Sequence, residues 1–399
     1  MVASERARNS PVTARERWPI ATAILATAVL LSACSPSRMI ESKALLEDLA
    51  AGGGPSTLKA ETAPPERRLV RFGADARQHE GHLYRPGDGA ADAALVVVPG
   101  VTPAGKDDRR FVAFARSLAR TRFEVLVPEI ANLRALKVGP GDAEPIADAL
   151  RALTGDGRID EEASRPRKAG IVAISYAAGP AVLAALDPAA RDRVAFLLLI
   201  GGYRDITAVV TYFTTGHYRA GPGAPWRRGT PQPRAKWAFL ESNLSLIEDP
   251  ADAEALGALA QRKTRRPEAD IADLVAGLGP EGRSIIALLT NRDPDAVPEL
   301  ITGLPERIAA DMRGIDLAAH DLSKLRAKLI LVHGRDDPVI PYTESEALAA
   351  AATGTETSLT LLDNLPHVDL GAPGTEDALR LWAAAYRVLE ERDRLAKGE

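Results

Sequence analysis

Short uninterrupted apolar runs alternate with segments of helical spacing from about residue 68 onward. Ala94-Leu-Val-Val-Val98, Ile171-Val-Ala-Ile174, Ala195-Phe-Leu-Leu-Leu-Ile200 and Lys328-Leu-Ile-Leu-Val332 carry apolar side chains at nearly every position. A strand built this way buries both of its faces, which requires a parallel sheet covered by helices on each side. Helical patterns at 109–119, 143–153, 180–186, 344–352 and 375–392 supply the cover. Further strands are read at 69–72, 81–84, 124–127 and 358–362, the first two suiting an antiparallel start. The expectation is an α/β fold, a doubly wound, mostly parallel sheet of eight strands.

The rhythm breaks between Gly202 and Lys328, where no buried strand is evident. Helical spacing recurs there at 237–246, 252–262, 271–278, 282–289, 296–300 and 305–312. An insertion of this length needs structure of its own. Residues 203–327 therefore read as a helical cap over the carboxyl edge of the sheet, led in by a loop at 212–237. Residues 68–202 and 328–399 form the two parts of the core.

The start of the chain has another character. Arg6, Arg8, Arg15 and Arg17 precede an uncharged apolar run, Ile20 to Leu31, that ends in Ser32-Ala33-Cys34. A basic start, a short apolar run and small residues make an export signal. The run is shorter than the roughly 20 residues a spanning helix needs. Leu31-Ser-Ala-Cys34 resembles the bacterial lipoprotein box. The resemblance implies removal of residues 1–33, acyl chains on Cys34, and anchorage in the bacterial envelope (at the outer membrane in a Gram-negative cell). Residues 34–67, with Gly52-Gly-Gly-Pro55 and Pro64-Pro65, read as the lipidated cysteine and a flexible tether.

Composition narrows the function. A net charge of -4 with no Lys/Arg stripe gives no footprint for nucleic acid. One cysteine excludes an internal disulfide framework. The six histidines lack ligand spacing, so a dedicated metal site is not expected.

Chemistry gathers at strand ends. Ser175 joins the strand-like Ile171–Ile174 to the helix-like segment after it, where a hydroxyl is pushed toward helix-opening amides. Pro99-Gly100-Val101-Thr102, His333-Gly-Arg-Asp-Asp337-Pro-Val-Ile-Pro341 and Leu362-Asp-Asn-Leu-Pro-His367 close three other strands. In an open parallel sheet these carboxyl ends converge on one edge. The blocks, in the order Ser, Asp, His, resemble the α/β-hydrolase superfamily from about residue 68 to 392, apart from the cap.

That resemblance implies a serine hydrolase acting on a small acyl substrate without a cofactor. Ser175 would be the nucleophile and His367 the general base. Asp337 would orient His367. The backbone amides of Tyr176 and Val101, or Thr102 in place of Val101, would form the oxyanion hole. Ala173 and Ala177 stand where the family's Gly-x-Ser-x-Gly has glycines, and Pro366 where glycine is usual. Asp336 reads as a solvated carboxylate, His333 as structural and Asp205 as a weaker candidate for the acid. Tyr203, Tyr212, Phe213, His217, Trp226 and Trp237 could line a pocket or pack the cap. Arg265, Glu268 and Asp270 read as a solvated helix face. Esters or thioesters are favoured over peptides. A binding protein without turnover, or an acyltransferase or peptidase using the same groups, remains open.

Overall fold

In the computed structural model, residues 35–74, 77–155, 159, 166–365 and 374–399 are described. Eight strands form one sheet: β1 (Glu66–Phe72), β2 (His79–Arg85), β3 (Ala93–Val98), β4 (Phe123–Pro128), β5 (Ala169–Ile174), β6 (Val194–Ile200), β9 (Lys328–Gly334) and β10 (Thr357–Leu362). Their order is β1-β2-β4-β3-β5-β6-β9-β10. β2 runs antiparallel to β1 and β4, and every pair from β4 onward is parallel. The intervening β7 (His217–Tyr218) and β8 (Arg227–Arg228) form a separate short ladder.

Alternation along the central strands sorts the core into two layers. Val96, Val98, Ile171, Ala173, Leu197, Leu199 and Leu331 face one way, onto α4 (Ala143–Leu153), α5 (Ala178–Leu186) and α12 (Thr343–Ala351). Leu95, Val97, Val172, Leu198, Ile330 and Val332 face the other, onto α3 (Arg109–Arg120) and α13 (Thr375–Ala396).

The expected flexible tether is instead folded where it is described. Ser35 caps α1 (Pro36–Ala51), and Ser56 caps α2 (Thr57–Glu61). The spacing of Leu45, Leu46 and Leu49 gives α1 an apolar side, and Leu45 and Leu58 are buried with α3 and α13. Arg392, itself buried, holds α1 to α13: Nη2 donates to Glu41 Oε2 at 2.8 Å and Nη1 to the Thr121 carbonyl at 2.8 Å. Asp48 is enclosed as well. Burial opposes its charge, but Lys59 at 2.6 Å, Ser117 at 2.5 Å and Ser56 outweigh that and hold its carboxyl below the usual range. A linker composition does not reveal this docking, because the partners lie at the far end of the chain.

Residues 203–327 build a third core. α7 (Ala235–Ser242), α8 (Pro250–Arg265), α9 (Pro280–Thr290) and α10 (Val297–Thr302) pack around Trp237, Leu256, Leu259 and Ile286. α11 (Glu306–Gly314) is the last α-helix before β9 in the chain. The expected loop at 212–237 is corrected in part: Tyr212 lies in the last turn of α6 (Ile206–Thr215), Trp237 lies in α7, and the β7–β8 ladder stands between. Asp205 caps α6 at its start, and Gly216, at φ 78°, ends it. α6 straddles two cores, Ile206 and Val209 facing the sheet and Val210 and Phe213 the cap. The helix expected over 271–278 shortens to one turn at Ala272–Val275.

Candidate active site

Ser175 leaves β5 with φ 59°, a left-handed backbone that only it, Arg122 and Leu136 adopt among the described non-glycine residues. Such geometry costs about 1–2 kcal/mol and persists only where surroundings enforce it. Ser175 is buried, and its Oγ has no hydrogen-bond partner among the described residues. A 3₁₀ turn, Ser175–Ala177, leads into α5, so the amides after Ser175 open a helix. Close approach of strand and helix depends on small residues. Ala173 and Ala177 are fully buried, and a Cβ on Gly179 would fall 2.0 Å from Tyr203 Oη.

The loop after β3 closes on the same corner. A Cβ on Gly100 would lie 3.1 Å from the Ile174 carbonyl oxygen and 3.4 Å from Ser175 Cβ. The Thr102 amide donates to Leu133 O at 3.2 Å, and Thr102 Oγ1 donates to Asp108 at 2.9 Å. Thr102 is thereby committed elsewhere, while Val101 follows directly on Gly100.

Asp337 lies on the turn after β9 and is buried. Its Oδ1 accepts from the amides of Val339 at 2.7 Å and Ile340 at 3.0 Å. Two bonds to one oxygen fix the plane of the carboxylate. His333 stands behind it, wholly buried. Its Nε2 faces the Ile340 carbonyl at 2.9 Å and Asp337 Oδ2 at 3.5 Å, so that nitrogen carries the proton. Its Nδ1 lies 2.7 Å from Ser345 Oγ. One ring nitrogen thus serves the turn and the other meets α12.

The cap leans on this turn. Tyr212 Oη donates to the Asp337 carbonyl at 3.0 Å, and the Gln232 amide donates to Pro338 O at 2.8 Å. Burial first and the Asp337 charge second push the Tyr212 phenol up to about 12. The same two causes raise the Tyr176 phenol. Tyr212 was visible in the sequence only as an aromatic; its bond joins residues 125 positions apart.

Asp336 is exposed, yet its Oδ1 accepts from the Leu365 amide at 3.2 Å, a role beyond simple solvation. Asp205 is committed as the cap of α6, accepting from Thr207 and Ala208. His367 and Cys34 lie outside the described residues. The chain leading to His367 is held up to Leu365: the amides of Asp363 and Asn364 donate to Asp377, and a Cβ on Gly334 would fall 1.9 Å from Leu365 O. Among the remaining aromatics, Tyr203 and Trp237 are core packing, and Trp226 Nε1 donates to Asp295. Arg265, Glu268 and Asp270 are exposed.

Sequence reasoning missed Glu344, at the start of α12. It is buried and accepts from the amides of Arg204 at 3.1 Å and Asp205 at 2.7 Å. Desolvation pushes its carboxyl up to about 7. No local pattern marks it, since its donors follow a different strand.

The strand order, the antiparallel β2 and the serine at the turn after β5 define an α/β-hydrolase fold. No protein-family model matches the chain, and no curated protein matches it. Solved structures similar to it include an acylaminoacyl peptidase of Pyrococcus horikoshii, 13% identical over 81% of this chain and 41% of that one, TM-score 0.44. The chain thus spans about two fifths of that peptidase. A dienelactone hydrolase of Anabaena variabilis is 14% identical over 82% of this chain and 98% of that one, TM-score 0.43. A brefeldin A esterase, a bacterial homologue of human hormone-sensitive lipase, is 15% identical over 91% and 86%, TM-score 0.45.

Proposed function

We propose that this protein is a serine hydrolase cleaving an ester or related acyl bond, held to a bacterial envelope membrane through a lipidated Cys34. The observation that carries the reaction is Ser175 itself. Its backbone is held at φ 59° and its Oγ is enclosed without a described partner. A serine that served only to cap a helix would donate or accept within that helix.

In the proposed sequence, Ser175 Oγ attacks the acyl carbonyl while His367 takes the hydroxyl proton. Asp337, fixed by Val339 and Ile340, orients that imidazole and stabilises it once charged. The amides of Tyr176 and Val101 receive the oxyanion, each contributing about 3–4 kcal/mol. Val101 is preferred to Thr102 because the Thr102 amide is already bonded to Leu133. His367 returns the proton to the departing alcohol. Water, deprotonated by His367, then attacks the acyl-serine, and His367 returns that proton to the departing Ser175 Oγ as the acid is released.

A fluorophosphonate probe tests the assignment: it should label the wild type and leave Ser175→Ala unlabelled. The variant should remain folded and lose roughly 10⁴–10⁶ of turnover. Near-normal ester hydrolysis by Ser175→Ala would reject the nucleophile.

The anchor rests on Leu31-Ser-Ala-Cys34 at the end of the apolar run Ile20 to Leu31. Metabolic labelling with a fatty acid should mark the wild type and not Cys34→Ala. Equal labelling of both in a bacterial host would overturn it.

A further inference from the structure

A cavity of about 290 Å³ lies on the α3–α13 side of the sheet, roofed by α1. It is roughly twice the size of an engineered apolar cavity of about 150 Å³ that stays dry and takes up benzene. Among the described residues, every side chain lining it is apolar except Arg110, which is exposed and bonded to Asp108. Leu45 and Leu49 form its α1 wall, and Phe111 and Phe114 its α3 wall.

Three lining residues are neighbours in sequence of the candidate catalytic groups. Ile174 immediately precedes Ser175, Val332 stands five residues before Asp337, and Leu365 two residues before His367. All three segments carrying the proposed catalytic groups also contribute a wall residue. The cavity sits on the opposite face of the sheet from α5, and no residue of the 203–327 insertion lines it.

We infer that this cavity receives the apolar acyl chain of the substrate. The inference rests on the serine-hydrolase reading and deepens it by naming the substrate class. With Arg110, already paired with Asp108, as the one polar side chain among the described lining residues, the cavity selects chiefly on length and apolarity. Its volume suits a chain of roughly six to twelve carbons, by comparison with the benzene-binding case. Each methylene buried should raise kcat/KM about fourfold until the cavity is full. α1 then has two roles, leading from Cys34 and walling the acyl site.

The test compares the full-length wild type with two filling variants, Ala384→Phe on α13 and Leu46→Trp on α1, each checked for folding by circular dichroism. The first readout is the ratio of kcat/KM for a decanoyl ester to that for an acetyl ester. The second is direct binding of decanoic acid by calorimetry, measured also on Ser175→Ala. At least a tenfold fall in the ratio and in decanoate affinity is expected in both filling variants, with binding kept in Ser175→Ala. An unchanged ratio and unchanged binding in the filling variants would overturn the acyl site and leave the hydrolase reading standing. If the wild type cleaves no ester, yet filling abolishes decanoate binding, the hydrolase reading fails and the cavity's ligand class stands.

Discussion

Gly100 and Ser175 stand so close that a side chain on the first would touch the Cβ of the second at 3.4 Å. The tighter contact is 3.1 Å, to the Ile174 carbonyl oxygen, and backbone there has little freedom to retreat. Gly100→Ala should therefore displace the loop carrying Val101 by a few tenths of an ångström. Oxyanion donors lose much of their effect when misplaced on that scale. Steady-state kinetics should show kcat lowered by roughly 10–100-fold, with KM changed much less. Full activity in this variant would exclude the Val101 amide from the oxyanion hole.

Ser175 is strained for a reason separable from its hydroxyl. Glycine adopts φ 59° without the side-chain penalty, and Ser175→Gly also removes a buried oxygen that lacks a described partner. Unfolded-chain entropy offsets part of that gain. Urea unfolding should show Ser175→Gly as stable as the wild type or up to about 1 kcal/mol more stable, while ester hydrolysis is abolished. A clear loss of stability would show that the elbow is not strained.

Central strands were legible because continuous apolar runs such as Ala195–Ile200 admit few other structures. Ser175 and the Asp337 turn were legible because their signals are local. What escaped depends on distance or on conflicting propensity. α6 is rich in Thr, Val and aromatic residues, poor helix formers, although Asp205 and Gly216 mark its two ends. α1 shows helical spacing, but what docks it, Arg392 on Glu41 and Tyr386 on Arg38, is remote in sequence. The apolar cavity was invisible because its walls come from α1, α3, β5, β6, β9 and α13 together.

The Tyr212–Asp337 bond predicts a positioning effect from the cap. Tyr212→Phe keeps the ring and removes the donor to the Asp337 carbonyl. Leaving that buried carbonyl short of a partner should cost about 1–3 kcal/mol in urea unfolding. Because the turn holds the proposed acid, kcat should also fall roughly 3–10-fold, and the acid limb of the pH–rate profile should shift. A loss of stability with kcat and pH profile unchanged would assign Tyr212 to packing alone.

Glu344 makes stability depend on pH. Desolvation is the main reason its carboxyl rises from an ordinary 4.5 to about 7; the neighbouring Asp205 charge adds to the rise, while Arg204 and the two donated amides oppose it. Below about pH 4.5 the side chain is protonated in both folded and unfolded protein. Between about pH 4.5 and 7 the folded state still holds a proton that the unfolded chain has released, so this group's contribution falls as pH rises. The fall across that window is on the order of 3 kcal/mol. Glu344→Gln keeps a carbonyl to accept from Arg204 and Asp205 but cannot titrate. Its stability relative to the wild type should therefore grow steadily from pH 4.5 to 7 and level off above, as read from urea midpoints at several pH values. A difference independent of pH would mean that Glu344 is ionised throughout the window.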